Sequence, residues 1–258
     1  MKLIKEIYDY RDMIISLVRR DLKGRYKGSA LGFMWTFINP FLQLIVYTFV
    51  FSVVMRSGIK DYYLFLFVAL IPWIFFSTCI TGGATCVWSQ QDMVKKIYFP
   101  REVLPISFVT SQFINMLFSF IVVFIVLLVS GKGLCLPTLP YLIPVMLLEY
   151  MLALGVAFIF SSVTVYLRDM EYVLGILAMA LQFLTPIMYS SDMVPKKILP
   201  IFNLNPMTPI INAYRDILYY QKVPEMGTML HGSELSIILL IIGIVVFGRL
   251  KRRFAENL

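Results

Sequence analysis

Long apolar runs separated by short polar stretches dominate this chain of 258 residues. Six of them, at 32–55, 62–87, 103–130, 139–166, 172–189 and 233–250, approach or exceed the roughly 20 helical residues needed to cross a hydrocarbon core of about 30 Å. The last two are the shortest, and the fifth runs into Pro186. The pattern predicts an all-α membrane protein with six transmembrane helices. Ahead of the first span, Leu3, Ile7, Tyr10, Ile14 and Leu17 recur at spacings of four and three, with most charged residues elsewhere. That periodicity predicts an amphipathic helix over 3–23. Two placements fit it: in the membrane interface, with its basic residues toward anionic headgroups, or against the protein's own spans. Gly24 and Gly28 then offer turning points into the membrane.

Two connecting segments depart from plain loops. Between the second and third spans, Met93, Val94, Ile97 and Tyr98 fall on one helical face, opposite Gln90, Gln91, Lys95 and Lys96, and Pro100 predicts the end of that short helix. Such a helix suits either a docking surface for a soluble partner or a membrane surface. Between the fifth and sixth spans, apolar pieces at 198–204 and 207–214 are broken by Pro195, Pro200, Pro206 and Pro209. They are too short to span. They predict re-entrant or interfacial helices over 190–215, tolerated where the broken backbone is buried in protein or lines a cavity; an ordinary external loop is the plain alternative.

Composition supports the membrane reading, since 59% of residues are hydrophobic and 15% charged, against 45–50% and about 25% in soluble domains. The 23 Lys+Arg against 15 Asp+Glu do not point to nucleic acid, because they gather at span ends. Sixteen fall in 1–31, 88–102, 167–171 and the C-terminal end, and seven in the remaining three loops. With six spans this predicts both termini in the cytoplasm. The chain divides into an N-terminal cytoplasmic segment (1–31), a six-helix membrane domain (32–250) and a basic cytoplasmic tail (251–258). The mixed-charge N-terminus does not read as a cleavable signal peptide.

Catalytic chemistry is sparse. The single histidine, His231, serves no metal or triad motif, and Cys79, Cys86 and Cys135 lack ligand or disulfide spacing. The Gly-Lys-Gly run at 131–133 lacks the spacing of a phosphate-binding loop, so energy from ATP would come through another chain. Glu149, about ten residues into the fourth span, needs a cavity, a partner or a proton. Its roles as transport residue and as structural hydrogen-bond acceptor stand level. Asn39-Pro40 predicts a bend in the first span.

Four motifs, in order, resemble one family. They are the Arg20-Asp-Leu-Lys-Gly-Arg-Tyr-Lys run continuing to Asn39-Pro40, the Lys95-Lys-Ile-Tyr-Phe-Pro-Arg-Glu-Val-Leu-Pro run, Arg168-Asp169, and Asn205-Pro-Met-Thr-Pro followed by Tyr214-Arg215. Nearly the whole chain is similar to the ABC-2-type permease subunits of bacterial polysaccharide exporters, the O-antigen, teichoic acid and capsule group. The resemblance implies a homodimer in the bacterial cytoplasmic membrane, each copy bound to a separate P-loop ATPase subunit that holds ATP and Mg. No cofactor is expected on this chain. The implied cargo is a glycan on a lipid carrier of the undecaprenyl-pyrophosphate type, moved to the outer face.

On this resemblance, Met93, Val94, Lys95, Lys96, Ile97, Tyr98, Phe99, Pro100, Arg101 and Glu102 belong to a coupling helix (90–100) and its exit on the ATPase. Arg20, Lys23, Arg25, Tyr26 and Lys27 lie at a cytoplasmic entrance for the pyrophosphate. Asn205, Pro206, Tyr214 and Arg215 fall in the external re-entrant region. Aromatic rings can stack on sugar faces, which makes Phe37, Phe41, Tyr47 and Phe51 of the first span, and Phe183 and Tyr189 of the fifth, candidates to line a channel together with Glu149. An ABC-2 exporter of a drug or lipid, and a membrane-embedded lipid-modifying transferase, are the competing readings.

Overall fold

A computed structural model describes residues 2–24, 28–54 and 58–254. Among these residues all regular structure is helical. Two N-terminal helices, α1 (Lys2–Asp9) and α2 (Arg11–Gly24), lead to α3 (Trp35–Thr48), which carries Pro40 and loosens into a π-helical stretch at Phe49–Val54. Then follow α4 (Tyr62–Thr85), the short α5 (Gln91–Lys96), α6 (Val103–Val129), α7 (Leu142–Thr164) and α8 (Met170–Leu184). The chain closes with α9 (Leu199–Leu204), α10 (Met207–Leu218) and α11 (Met226–Leu250).

Among the described residues five helical stretches are long and apolar enough to cross a membrane: Gly32–Val54, Tyr62–Thr85, Val103–Val129, Leu139–Thr164 and Met226–Arg253. The predicted fifth span is different. Its helix, α8, has 15 residues, about 22 Å of rise, and ends where Thr185 turns extended ahead of Pro186. Residues 185–189 continue from it as irregular backbone. The sixth predicted span starts earlier than expected, at Met226 rather than 233, which shortens the loop before it.

Side-chain contacts sort the connections into two ends, as the alternation of spans requires. At one end Arg20 donates to Gln90 (2.9 Å), Tyr166 to the Leu250 carbonyl (2.8 Å), and Arg168 lies over the Trp88 ring. At the other, Tyr219 donates to the Lys60 carbonyl, Gln221 to the carbonyls of Lys132 and Gly133 (3.0 and 3.1 Å), and Tyr62 to that of Met188 (2.8 Å).

The N-terminal amphipathic segment packs against the protein's own spans. Leu17 and Val18 are buried, Leu17 sits in a cluster with Cys86, Val87, Val94, Leu104 and Phe247, and Asp21 accepts from Ser111 of α6. The outward face of α2 still carries Arg11, Arg19, Arg20 and Lys23.

Lipid removes the hydrophobic drive for helix association, so close packing must supply it. The tightest seam joins α7 to α11. A Cβ on Gly243 would stand 2.4 Å from the Gly155 carbonyl oxygen, and one on Gly155 would stand 2.7 Å from the backbone at Leu239–Leu240. Two backbones therefore touch where neither residue has a side chain. Gly83 of α4 plays the same part against Ala157 of α7 at 3.1 Å. Gly243→Leu is expected to destabilise the packed chain by about 2 kcal/mol or more. Thermal unfolding in mild detergent reads this directly, with Gly248→Leu, where a Cβ meets nothing within 4 Å, as the silent control.

Candidate functional site

The loop joining α4 to α6 is built on two buried anchors. A 3₁₀ turn at Trp88–Gln90 feeds α5, whose Val94 points into the protein. The chain then leaves the helix at Lys96, because Ile97 adopts an extended conformation (φ −127°, ψ 135°). Pro100 disfavours helix at the residue before it, so Phe99 turns inward instead. Val94 and Phe99 lie in one cluster with Val87, Val103, Phe158, Val165 and Phe247.

This corrects the predicted helical face. Met93 and Val94 do face the spans, but Ile97 is exposed and Tyr98 is 97% exposed. Phe99, expected on the docking surface, is an anchor. Lys95 and Lys96 are also exposed, Lys96 within 3.8 Å of Asp92. Pro100 and Arg101 are half-buried.

Behind the loop stands a clamp that the sequence did not signal. Glu102 is buried and pairs with Lys251 just past α11, while Arg101 donates to the Lys251 carbonyl. The C-terminal end of the last long helix thus holds the exit of the loop. Between them, Glu6, Tyr10, Tyr98, Arg101 and Arg252 border an open cavity of about 330 Å³.

The basic entrance residues divide. Arg20 bonds Gln90 and so ties α2 to the loop, and Lys23 is exposed. Arg25, Tyr26 and Lys27 lie outside the described residues.

At the opposite end the irregular segment 185–189 is enclosed by side chains. Arg215, on α10, is 2% exposed. Its guanidinium donates to the carbonyls of Pro186, Ile187 and Tyr189 (3.2 Å for the last), reaches that of Phe65 at 3.5 Å, and stacks 3.6 Å from the Phe65 ring centre. Tyr62 takes the remaining carbonyl, at Met188. Asn205 donates to Thr185 Oγ1 (2.8 Å) and to the Leu184 carbonyl (3.4 Å), while its own side-chain oxygen accepts from the Met207 amide at the start of α10 (3.0 Å). Pro206 sets the turn between α9 and α10. The re-entrant expectation for 190–215 thus resolves into an α9 with Pro200, Asn203 and Leu204 exposed and an α10 buried over almost its whole length.

Tyr214, next to Arg215, donates to Glu149 Oε2 at 2.6 Å and stacks on Phe120. Glu149 is 0% exposed. It therefore faces the helix packing and no open cavity here, which favours the hydrogen-bonding role over channel lining.

The aromatic candidates do not form one surface. Phe41 and Phe183 are exposed, while Phe37 packs edge-on to Phe33. Tyr47 accepts from Gln182 (2.8 Å) and Phe51 stacks near Tyr62, so both turn toward the core. Tyr189 donates to the Phe183 carbonyl at 2.6 Å.

Residues 13–219 match the ABC-2 type transporter family, and the chain belongs to it. It is 33% identical, over the full length of both chains, to the O-antigen export system permease protein RfbA of Myxococcus xanthus. It is 34% identical to RfbA of Klebsiella pneumoniae, across 96% of this chain and 95% of that protein. The polysialic acid transport protein KpsM of Escherichia coli is 22% identical, across 90% and 91%.

The Arg215 cap makes a test of geometry against charge. Arg215→Lys keeps the charge but cannot span several carbonyls with one planar fork. Both Arg215→Lys and Arg215→Met are expected to lower stability by about 3 kcal/mol or more, and to expose a cysteine placed at Ile187 to a water-soluble maleimide. Protection of that cysteine in the lysine variant would mean that charge alone organises the segment.

Proposed function

From membership of this family, we propose that the chain is the membrane-spanning subunit of an ATP-driven exporter of a lipid-linked polysaccharide. The cargo class is a glycan such as an O-antigen or teichoic acid on a carrier of the undecaprenyl-pyrophosphate type. Two copies form the translocating unit in the bacterial cytoplasmic membrane, with both termini in the cytoplasm. Two P-loop ATPase subunits bind ATP and its Mg²⁺ and dock on the α4–α6 loop.

The observation that carries this reading is the build of that loop. Tyr98 stands free at its tip, while Val94 and Phe99 on either side are seated among residues of α6, α7 and α11 and Cys86 and Val87 just past α4. A push on an exposed aromatic tip with such anchors is transmitted to four long helices at once. In a soft, solvated loop it would be absorbed. Nucleotide binding closes the ATPases and the loop carries that displacement to the spans. The glycan path then opens between the copies; ATP drives the cycle, and the lipid-linked substrate is carried by it because it binds the two states with different affinities. Full-length similarity to proteins named for O-antigen export supports the glycan over a drug or lipid cargo.

Tyr98→Asp tests the docking assignment without disturbing the anchors. Polysaccharide export is expected to fall roughly tenfold or more, as for loss of an aromatic hot spot, with unchanged membrane insertion and thermal stability. The co-purifying ATPase is expected to drop or to hydrolyse ATP without export. Normal export from Tyr98→Asp would overturn the role of the loop, and purification of the chain without any ATPase would overturn the exporter reading itself.

A further inference from the structure

At the end opposite the α4–α6 loop, an open cavity of about 370 Å³ lies between Ser190–Asp192, the C-terminal part of α10 and the start of α11. Its size falls in the range of small-molecule sites, about 300–1,000 Å³. With both termini in the cytoplasm, this is the outer side of the membrane.

A fixed turn builds the cavity. Past α10 the amides of Tyr219 and Tyr220 return to the Arg215 carbonyl (2.9 and 2.8 Å), and Gln221 takes a left-handed conformation (φ 56°). A non-glycine residue holds that conformation where its surroundings over-determine it. Here the Gln221 side chain is bound by the carbonyls of Lys132 and Gly133, and the Lys222 amide comes back to the Asp216 carbonyl (2.8 Å). Lys222 Nζ consequently stands 3.2 Å from Asp216 Oδ1, and the Tyr220 ring, 49% exposed, lines the same space.

Polar atoms within reach of a ligand are left unspent. Asn212 accepts from Ser191 Oγ through Oδ1 (3.0 Å), so both N–H donors of its Nδ2 are free. Asp216 pairs through Oδ1, which leaves Oδ2 as an acceptor. Neither Asn212 Nδ2 nor Asp216 Oδ2 has a hydrogen-bond partner among the described residues, and neither is sealed from solvent. The hydroxyls of Ser190 and Ser191 donate to Asp192 (3.2 Å) and Asn212, which leaves their lone pairs to accept.

This set discriminates between ligand classes. A phosphate would meet an Arg215 committed to carbonyls and a Lys222 committed to Asp216, with the exposed carboxylates of Asp192 and Glu225 at the border. A metal ion is disfavoured too, because among the described residues no three acidic, histidine or cysteine side chains come together to hold one. Neighbouring hydroxyls, which each donate and accept, match a free amide beside a free carboxylate oxygen, and an apolar ring face matches an exposed tyrosine.

We propose that this cavity is an outer binding subsite for an uncharged sugar ring of the emerging glycan, with Asn212 donating, Asp216 accepting and Tyr220 stacking. The ring belongs to the body of the glycan, so no pyrophosphate enters the site with it. This rests on the polysaccharide-export reading and adds to it a selection for neutral over acidic sugars.

The test uses the full chain with its co-purified ATPase in lipid nanodiscs. The probes are diazirine-tagged trimers of mannose, glucose, galactose and N-acetylglucosamine, with a tagged galacturonic acid trimer as the acidic comparison. Photolabelling of segments 190–192 and 212–228 by at least one neutral trimer, competed by its untagged form, is the expected result. Labelling by the acidic trimer is expected to be at least fivefold weaker. Asn212→Leu is expected to lower neutral labelling about fivefold, as for one lost hydrogen bond of ordinary strength. Should that variant fail to fold, Tyr220→Ala at the exposed rim is expected to lower labelling in the same direction with unchanged thermal stability.

Equal labelling by neutral and acidic trimers, no labelling by any neutral trimer, or full labelling of the folded variants would each overturn the subsite. Polysaccharide on the cell surface, measured with and without this chain, reads the exporter assignment separately. Export that stops on deletion, with no sugar labelling, sinks the subsite and leaves the exporter standing. Export that continues on deletion sinks the exporter reading whatever the labelling shows.

Discussion

One buried guanidinium organises the end of the molecule opposite the α4–α6 loop. The backbone from Thr185 to Tyr189 is neither helix nor strand and follows directly on the 15-residue apolar helix α8. Irregular backbone at membrane depth is permitted only where its polar groups are satisfied within the protein. Arg215 meets that requirement for three carbonyls, Tyr62 for a fourth, and Asn205 holds the turn at Leu184–Thr185. The planar fork of arginine suits this task because its donors diverge in one plane, and because the Phe65 face shields the charge that the carbonyls do not neutralise. Since α10 carries both Arg215 and Tyr214, its burial, the enclosure of Glu149 and the course of the broken segment form one connected arrangement.

The rest of the scaffold uses a different physical device. Where lipid offers no solvent-driven association, helices gain by approaching closely, and the missing Cβ atoms of Gly155 and Gly243 let α7 and α11 touch backbone to backbone. That seam fixes the position of Lys251 at the end of α11, and Lys251 in turn holds Glu102 and Arg101 at the exit of the loop. A contact in the middle of the membrane thereby sets the geometry of a surface at its edge.

Hydrophobic periodicity made the long helices legible, since α3, α4, α6 and α7 follow the predicted runs closely. It failed where proline and a long-range contact decide together. The run from 172 is apolar through Tyr189, but Pro186 and the bonds to Arg215, 26 to 29 residues away in sequence, end the helix at Leu184. The same competition undid the docking face. Met93, Val94, Ile97 and Tyr98 have helical spacing, yet Pro100 and a pocket ready for Phe99 stop the helix at Lys96. The Tyr214-Arg215 pair was visible as a motif, though its partners were not, because a carbonyl acceptor leaves no mark in a residue pattern. Glu149 was correctly singled out as a group in need of a partner, and only the fold could show that the partner is Tyr214.

The two ends of the molecule are joined by α4 and α6, and this gives the proposed cycle a physical route. α4 is buried along most of its length, with Tyr62 and Phe65 at one end in contact with the broken segment and its Arg215, and Cys86 and Val87 just past the other in the cluster that seats Val94 and Phe99. α6 leaves the same loop directly and places Phe120 against Tyr214. Both helices are uninterrupted rods apart from Pro72 in α4. Packed interiors respond to a push by moving as bodies, because their contacts are dense and their rotamers few. In the proposed cycle a displacement of the α4–α6 loop would reach the carbonyl-bound segment through Tyr62 and Phe65 of α4, and α10 through Phe120 of α6 against Tyr214. Coupling of this kind requires an element with two arrangements. Residues 185–189 are suited to be that element, since hydrogen bonds to three side chains hold them where a helix would hold itself.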